Sequence, residues 1–125
     1  MNKIFPKRLI AATLCFYMLF FNTAPFVYAE SNISGINPTS VNGHNVYNID
    51  ADKISGNTGF RQYENFQLVK NDIANLLFKK DSKEYANFVN LVNNQVNING
   101  IVNTMRGNDF FNGHAIFLCS KITDS

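Results

Sequence analysis

An all-β chain is predicted by three features of the sequence. Asparagine appears 18 times after residue 29, nearly one residue in five; its side chain competes for backbone hydrogen bonds in a helix and favours turns. Between these corners lie short runs of Val, Ile, Leu, Phe and Tyr, which suit a pleated surface. The resulting strand-turn units carry no helical crossover pattern.

Residues 30–45, with Gly35, Pro38, Gly43 and four asparagines, form a turn-rich, extended lead-in whose expected inward contact is Val41. Residues 46–49 read as a strand, with Val46 and Asn48 on one face and Tyr47 and Ile49 on the other. The clearest loop is residues 55–59, where Gly56 and Gly59 supply positive φ angles. Next come Phe60, Tyr63 and Phe66 at three-residue spacing, then Leu68 after a two-residue step. That pattern fits an extended, bent segment whose rings pack in a core. Residues 73–78 are a stronger strand and end at a polar corner, residues 79–84, of alternating charge. Residues 85–92 are ambiguous. Asp81 and Glu84 resemble a capping box, and Tyr85, Phe88, Val89 and Val92 share a helical face, but Asn87 and Asn90 interrupt it and strand is preferred. After a corner at residues 93–95, residues 96–102 alternate strictly and form the best strand of the chain. A turn over residues 103–108 leads to Phe110 and Phe111, then a tight Asn112-Gly113 turn and a last strand at residues 115–118. These units pair as hairpins or coil one upon another. Inward asparagines at repeated corners favour coiling because their amides can stack into ladders, although no repeat of fixed period is visible.

Residues 1–29 read as a cleavable secretory signal peptide. Lys3, Lys7 and Arg8 precede thirteen uncharged residues, 9–21, too few for the roughly 20 that span a bilayer. Pro25 then breaks the helix, and Val27 and Ala29 present small side chains ahead of a cut between Ala29 and Glu30. A retained anchor would have to run through Asn22 and Pro25. A lipoprotein leader would place its cysteine after a small residue, whereas Cys15 follows Leu14 inside the apolar run. Beyond the cut remain eight basic and nine acidic side chains, a formal charge of −1, so nothing steers this chain to nucleic acid or an anionic membrane. The 96 residues suffice for one small domain. Cys119 is the one cysteine left, and a single thiol forms no internal disulfide.

Chemistry is sparse. His44 follows an Asn-Gly pair and His114 follows Gly113, neither with a second ligand at metal spacing. Asp50 and Asp52 read as solvated turn acids. There is no Gly-x-Ser-x-Gly, no glycine-rich phosphate loop, and hence no expected enzyme, metal or cofactor.

Three segments in order carry a resemblance. They are Thr58-Gly59-Phe60-Arg61-Gln62-Tyr63-Glu64-Asn65-Phe66, Asn94-Gln95-Val96 with Ile98-Asn99-Gly100-Ile101-Val102, and Gly113-His114-Ala115-Ile116-Phe117-Leu118. With them, residues 36–118 resemble the amino-terminal secretion domain of filamentous haemagglutinin-like adhesins, the exoproteins of two-partner secretion. The resemblance implies a right-handed parallel β-helix whose first coils are capped by extra strands. It also implies recognition in the periplasm by the periplasmic repeats of a partner outer-membrane β-barrel transporter. The full-length relatives then bind host surfaces as adhesins, and some end in a toxin. On this reading residues 30–118 are a partial secretion domain, and the chain is exported through the periplasm to the cell surface or medium. The face with Tyr63, Phe66, Asn94, Gln95, Val96, Ile98 and Gly100 docks on the transporter by strand addition. Residues 119–125 depart from the family, which continues through Pro and Gly into further rungs, and are expected to be the divergent tail of a truncated domain. The alternatives are a free-standing secreted adhesin or glycan binder, and a nonfunctional remnant.

Overall fold

A computed structural model describes residues 30–120. Residues 1–29, expected to be a signal peptide ending at Ala29, and residues 121–125 of the expected divergent tail lie outside the described residues. Twelve strands and no helix are present among the described residues: β1 (Asn32–Ile33), β2 (Thr39–Val41), β3 (His44–Ile49), β4 (Lys53–Ser55), β5 (Thr58–Leu68), β6 (Ile73–Leu77), β7 (Lys79–Lys80), β8 (Lys83–Glu84), β9 (Asn87–Ile98), β10 (Ile101–Arg106), β11 (Asp109–Phe110) and β12 (His114–Cys119). One mixed sheet has the order β1-β5-β9-β12, with β4 also on β5. The other runs β11-β10-β6-β3-β2, and β7 and β8 form a small hairpin.

The long strands pair in parallel. In one sheet β3 lies beside β6 and β6 beside β10; in the other β5 lies beside β9 and β9 beside β12. The chain therefore makes three passes, β3 to β5, β6 to β9 and β10 to β12. Partners lie 27 residues apart at Asn48 and Asn75, 28 at Asn75 and Asn103, and 29 at Thr58 and Asn87. Antiparallel strands cover the first pass: β1 and β4 on β5, and β2 on β3.

The core lies between the two sheets. Tyr47, Ile49, Ala74 and Leu76 enter it from one side, Tyr63, Phe66, Leu68, Phe88 and Val92 from the other, with Phe78 and Tyr85 at the connection. Alternation makes this arrangement, since Tyr47 and Ile49 point inward while Asn48 points out. Phe78 is the hub of an aromatic cluster, its ring centroid 5.9 Å from Tyr85, 5.7 Å from Phe88 and 5.5 Å from Phe111.

Several expectations are corrected. Residues 96–102 are not one strand. The chain turns at Asn99 and Gly100 from one sheet into the other, with both amides donating to Leu68 O at 2.8 and 3.2 Å. Alternation continues through the corner because the same inward direction serves both sheets. The expected corner at residues 93–95 lies inside β9 as a shift in register: Tyr63 pairs with Val92 but Asn65 with Gln95. Gly59 is not in a loop. The turn is Gly56-Asn57, with Gly56 at φ 58°, while Gly59 sits in β5 against Tyr85 and Ala51. The Asn112-Gly113 pair makes no positive-φ turn, and Gly113 is instead overlain by the Phe78 ring. The Asn-Gly hairpin with two positive φ angles is Asn42-Gly43, joining β2 to β3. The expected turn over residues 103–108 is shorter, because β10 continues to Arg106 and the reversal falls at Gly107 and Asn108. Val41 is 47% exposed because β2 lies on the outer edge of its sheet; Ile33 makes the inward contact. Residues 87–92 are strand, with Phe88, Asn90 and Val92 inward at two-residue spacing and Val89 only partly buried.

The asparagine ladder exists, but on the outer face and along strands. Asn75 Nδ2 donates to Asn48 Oδ1 at 3.0 Å, and Asn103 Nδ2 to Asn75 Oδ1 at 3.0 Å. One asparagine, Asn90, is fully buried, and it ties the three passes together. Tyr63 OH donates to its Oδ1 at 2.7 Å, while its Nδ2 donates to Phe88 O at 3.5 Å and Ile116 O at 3.3 Å. Asn90→Leu leaves the Tyr63 hydroxyl without its acceptor, an expected loss of about 1–3 kcal/mol in urea unfolding. Adding Tyr63→Phe should recover most of that loss, because both polar partners are then gone.

Candidate interaction surface

The outer face of the β5-β9-β12 sheet is built by the same alternation that fills the core. Register places Phe60, Val89 and Ile116 in one row, and Gln62, Leu91 and Leu118 in the next. Leu91 is 37%, Ile116 42% and Leu118 51% exposed, so these rows present apolar surface to solvent. Their signal in the sequence is the unbroken run Ala115-Ile116-Phe117-Leu118, since a strand apolar on both faces asks to be covered on both. Beside the first row lies an open groove of ≈ 480 Å³ lined by Asp52, Lys53, Ser55, Phe60, Arg61, Gln62 and Leu91.

Below these rows the register shift creates a polar corner. Glu64 faces the extra residues of β9, and its carboxylate accepts from Asn93 Nδ2 at 2.9 Å and Asn94 Nδ2 at 3.1 Å. Gln62 Nε2 donates to Asn93 Oδ1 at 3.1 Å. From the third pass, Ser120 Oγ donates to Asn93 O at 3.3 Å and Cys119 Sγ to Asn94 O at 3.9 Å. A shift of this kind bends the strand and ends pairing on one side. β12 pairs with β9 only as far as Val92. Among the described residues, the far edge of β9 from Gln95 to Ile98 therefore has no strand beside it.

The expected docking residues divide accordingly. Gln95 and Ile98 are exposed on this edge segment, and Asn94 is exposed in the polar corner next to it. Val96 is half-buried and packs on the core. Tyr63 and Phe66 are 2% and 0% exposed, their rings edge to face at 5.3 Å, so their side chains belong to the core. The three-residue step that set them apart comes from the shift in register beside Tyr63. Gly100 belongs to the corner, where a side chain would meet the carbonyls of Asp72 and Val69. Glu30, expected to follow the cut, is exposed at the first described position.

Charge is gathered at the groove's end. Arg61 Nη1 lies 3.2 Å from Asp50 Oδ1 and 3.4 Å from Asp52 Oδ1, and Lys80 Nζ 4.0 Å from Asp50 Oδ2, so these acids are paired rather than freely solvated turn residues. Asp72, 7% exposed, accepts from Ser31 Oγ at 2.6 Å and from the Asn45 amide at 3.0 Å, which pins the lead-in to the first pass. His44 and His114 are both exposed.

All three tyrosines after residue 30 ionise late. Burial raises the pKa of Tyr63, of Tyr47, where the Asp72 charge adds, and of Tyr85. In the unfolded chain a tyrosine ionises near pH 10. The fold excludes tyrosinate, so this stabilisation is complete below about pH 10 and is lost as pH rises above it. Tyrosinate absorbance should lag the free-tyrosine curve and then rise together with loss of the β circular dichroism. Independent titration with the dichroism unchanged would contradict the burial.

Among the described residues no helix is long and apolar enough to cross a membrane. No family model matches the chain, and neither a curated protein nor a solved structure is found to be similar to it.

Proposed function

We propose that residues 30–118 are the secretion domain of a two-partner-secretion exoprotein of the filamentous haemagglutinin-like kind. The leader delivers the domain to the periplasm, where the periplasmic repeats of a partner outer-membrane transporter recognise it. The observation that carries this reading is parallel pairing of successive passes at 27 to 30 residues, with antiparallel strands β1, β2 and β4 laid over the first pass. That is the arrangement expected of the first coils of a right-handed parallel β-helix with capping strands. The docking element is the edge of β9 from Gln95 to Ile98, which among the described residues has no strand beside it, with the polar corner that Asn94 helps to form next to it.

The test is capture of residues 30–125 by the transporter's purified periplasmic domain. Retention is expected, and it should be lost when Ile98 is replaced by Pro, which removes a backbone donor that faces the edge, since Asn99 N, one residue on, is turned to Leu68 O of β5. A Phe110→Ala chain, altered at an exposed position of the other sheet, should still be retained. Absence of retention, or binding of a glycan array by the same polypeptide without the transporter, would favour the free-standing glycan binder. The groove beside Phe60 and Leu91 is the place for such a ligand.

A further inference from the structure

Asn-Gly occurs three times in the chain, at Asn42-Gly43, Asn99-Gly100 and Asn112-Gly113. In such a pair the glycine nitrogen can attack the asparagine side chain, because no Cβ on the glycine crowds the approach. The attack needs that nitrogen to give up its proton, and an amide held in a hydrogen bond resists this as it resists exchange with water. The fold treats the three pairs differently. Gly100 N donates to Leu68 O at 3.2 Å in the corner between the sheets, with the Asp72 and Val69 carbonyls crowded against it. Gly113 N donates to Phe111 O at 2.9 Å, and the Phe78 ring overlies it. Among the described residues, Gly43 N has no acceptor. Asn42 and Gly43 are both exposed, and nothing lies within 4 Å of where a Gly43 side chain would stand.

This turn is also the one that opens most cheaply. β2 is three residues long, exposed throughout, and ends its sheet with β3 alone beside it. β3 does not depend on β2, because it pairs in parallel with β6 and its Asn45 amide donates to Asp72 Oδ1 at 3.0 Å. Ring closure needs the peptide plane between Asn42 and Gly43 to swing out of the two-residue turn, and fraying of β2 permits that swing.

We infer that Asn42 is a site of spontaneous deamidation, with water as the reactant, and that its isomerised product releases β2 from β3. The deprotonated Gly43 nitrogen bonds to Asn42 Cγ, the Cγ–Nδ2 bond breaks, and Nδ2 leaves as ammonia with the proton the amide gave up. Water then opens the cyclic imide. Opening at Cγ gives an aspartyl residue, which adds a negative charge and keeps the turn, since Asp-Gly is accepted in this hairpin type. Opening at the main-chain carbonyl gives an isoaspartyl residue, whose backbone runs through the side-chain carbon. That extra methylene stands where two residues must close the turn, so β2 loses its register with β3 and the outer edge of β3 is uncovered. The inference does not rest on the secretion reading, because it concerns the β2-β3 turn and not the edge of β9.

Ageing the purified chain at mildly alkaline pH, with peptide mapping by mass spectrometry and enzymatic detection of isoaspartate, tests it. In the folded chain Asn42 should convert about tenfold or more faster than Asn99 and Asn112, while in urea the three rates should converge. Hydrogen exchange on the isolated isoaspartyl chain should show protection lost between β2 and β3 but kept between β3 and β6. An Asn42→Asp chain should keep both. Conversion of Asn99 or Asn112 as fast as Asn42 in the folded chain, an Asn42 that stays intact while the urea-unfolded chain converts, or an isoaspartyl chain that still protects the β2-β3 amides would each overturn the proposal.

Discussion

Replacement of Phe78 by Ala should cost about 3–5 kcal/mol, as for other fully buried phenylalanines. A domain of this size has a total stability of about 5–15 kcal/mol, so the variant will be close to unfolded at room temperature. The position is severe because one ring closes several contacts at once. Phe78 meets Tyr85, Phe88 and Phe111, and its ring lies over Gly113, so the void would open between the second and third passes. Phe110→Ala is the matched comparison. That side chain is 78% exposed, and its loss should change stability by no more than about 0.5 kcal/mol. Urea unfolding of the two variants side by side reads the difference.

Gly100→Ala should cost about 3 kcal/mol, through overpacking against backbone that cannot move aside. A methyl group there would penetrate the Asp72 carbonyl oxygen and lie 2.6 Å from that of Val69 and 2.8 Å from Leu68 Cγ. Neither carbonyl is free to retreat, since Asp72 O accepts from the Ile101 amide at 3.0 Å and Val69 O from the Asp72 amide at 3.2 Å. Gly107→Ala separates steric crowding from backbone preference. Its φ is 64°, but nothing lies within 4 Å, so only the left-handed conformation is penalised, by about 1 kcal/mol. Thermal unfolding should rank Gly100→Ala well below Gly107→Ala.

The sequence made the strand faces legible wherever one face is wet. Tyr47 and Ile49 alternate with an exposed Asn48, and their inward direction follows from that alone. The corner at Asn99 and Gly100 was hidden because the alternation passes through it unbroken. The repeat was hidden for a different reason. Stacked positions complement one another in size instead of matching: Gly59 pairs with Phe88 and Phe88 with Ala115, while Ile49 pairs with Leu76 and Leu76 with Thr104. Parallel pairing needs aligned backbones, not identical side chains. One column does match, in Val46-Tyr47-Asn48, Ile73-Ala74-Asn75 and Ile101-Val102-Asn103, where a β-branched residue stands two before a ladder asparagine. That recurrence was the available sign of the period.

The candidate surface was legible in part. Gln95 and Ile98 lie on an edge that has no strand beside it among the described residues, and Asn94 next to it, whereas Tyr63 and Phe66 could not be separated from the core by spacing, because the shift in register changes which residues of β5 face inward. Leu91, Ile116 and Leu118 escaped notice because a continuous apolar run does not say which of its residues face out.

The central claim is that the edge of β9 is a docking strand for the transporter, and hydrogen exchange on residues 30–125 tests it most directly. On addition of the transporter's periplasmic domain, the amides between residues 95 and 98 that face the open edge should gain protection, while those of β3 and β6 stay as they were. Binding that leaves the 95–98 amides exchanging at their free rate would contradict the account.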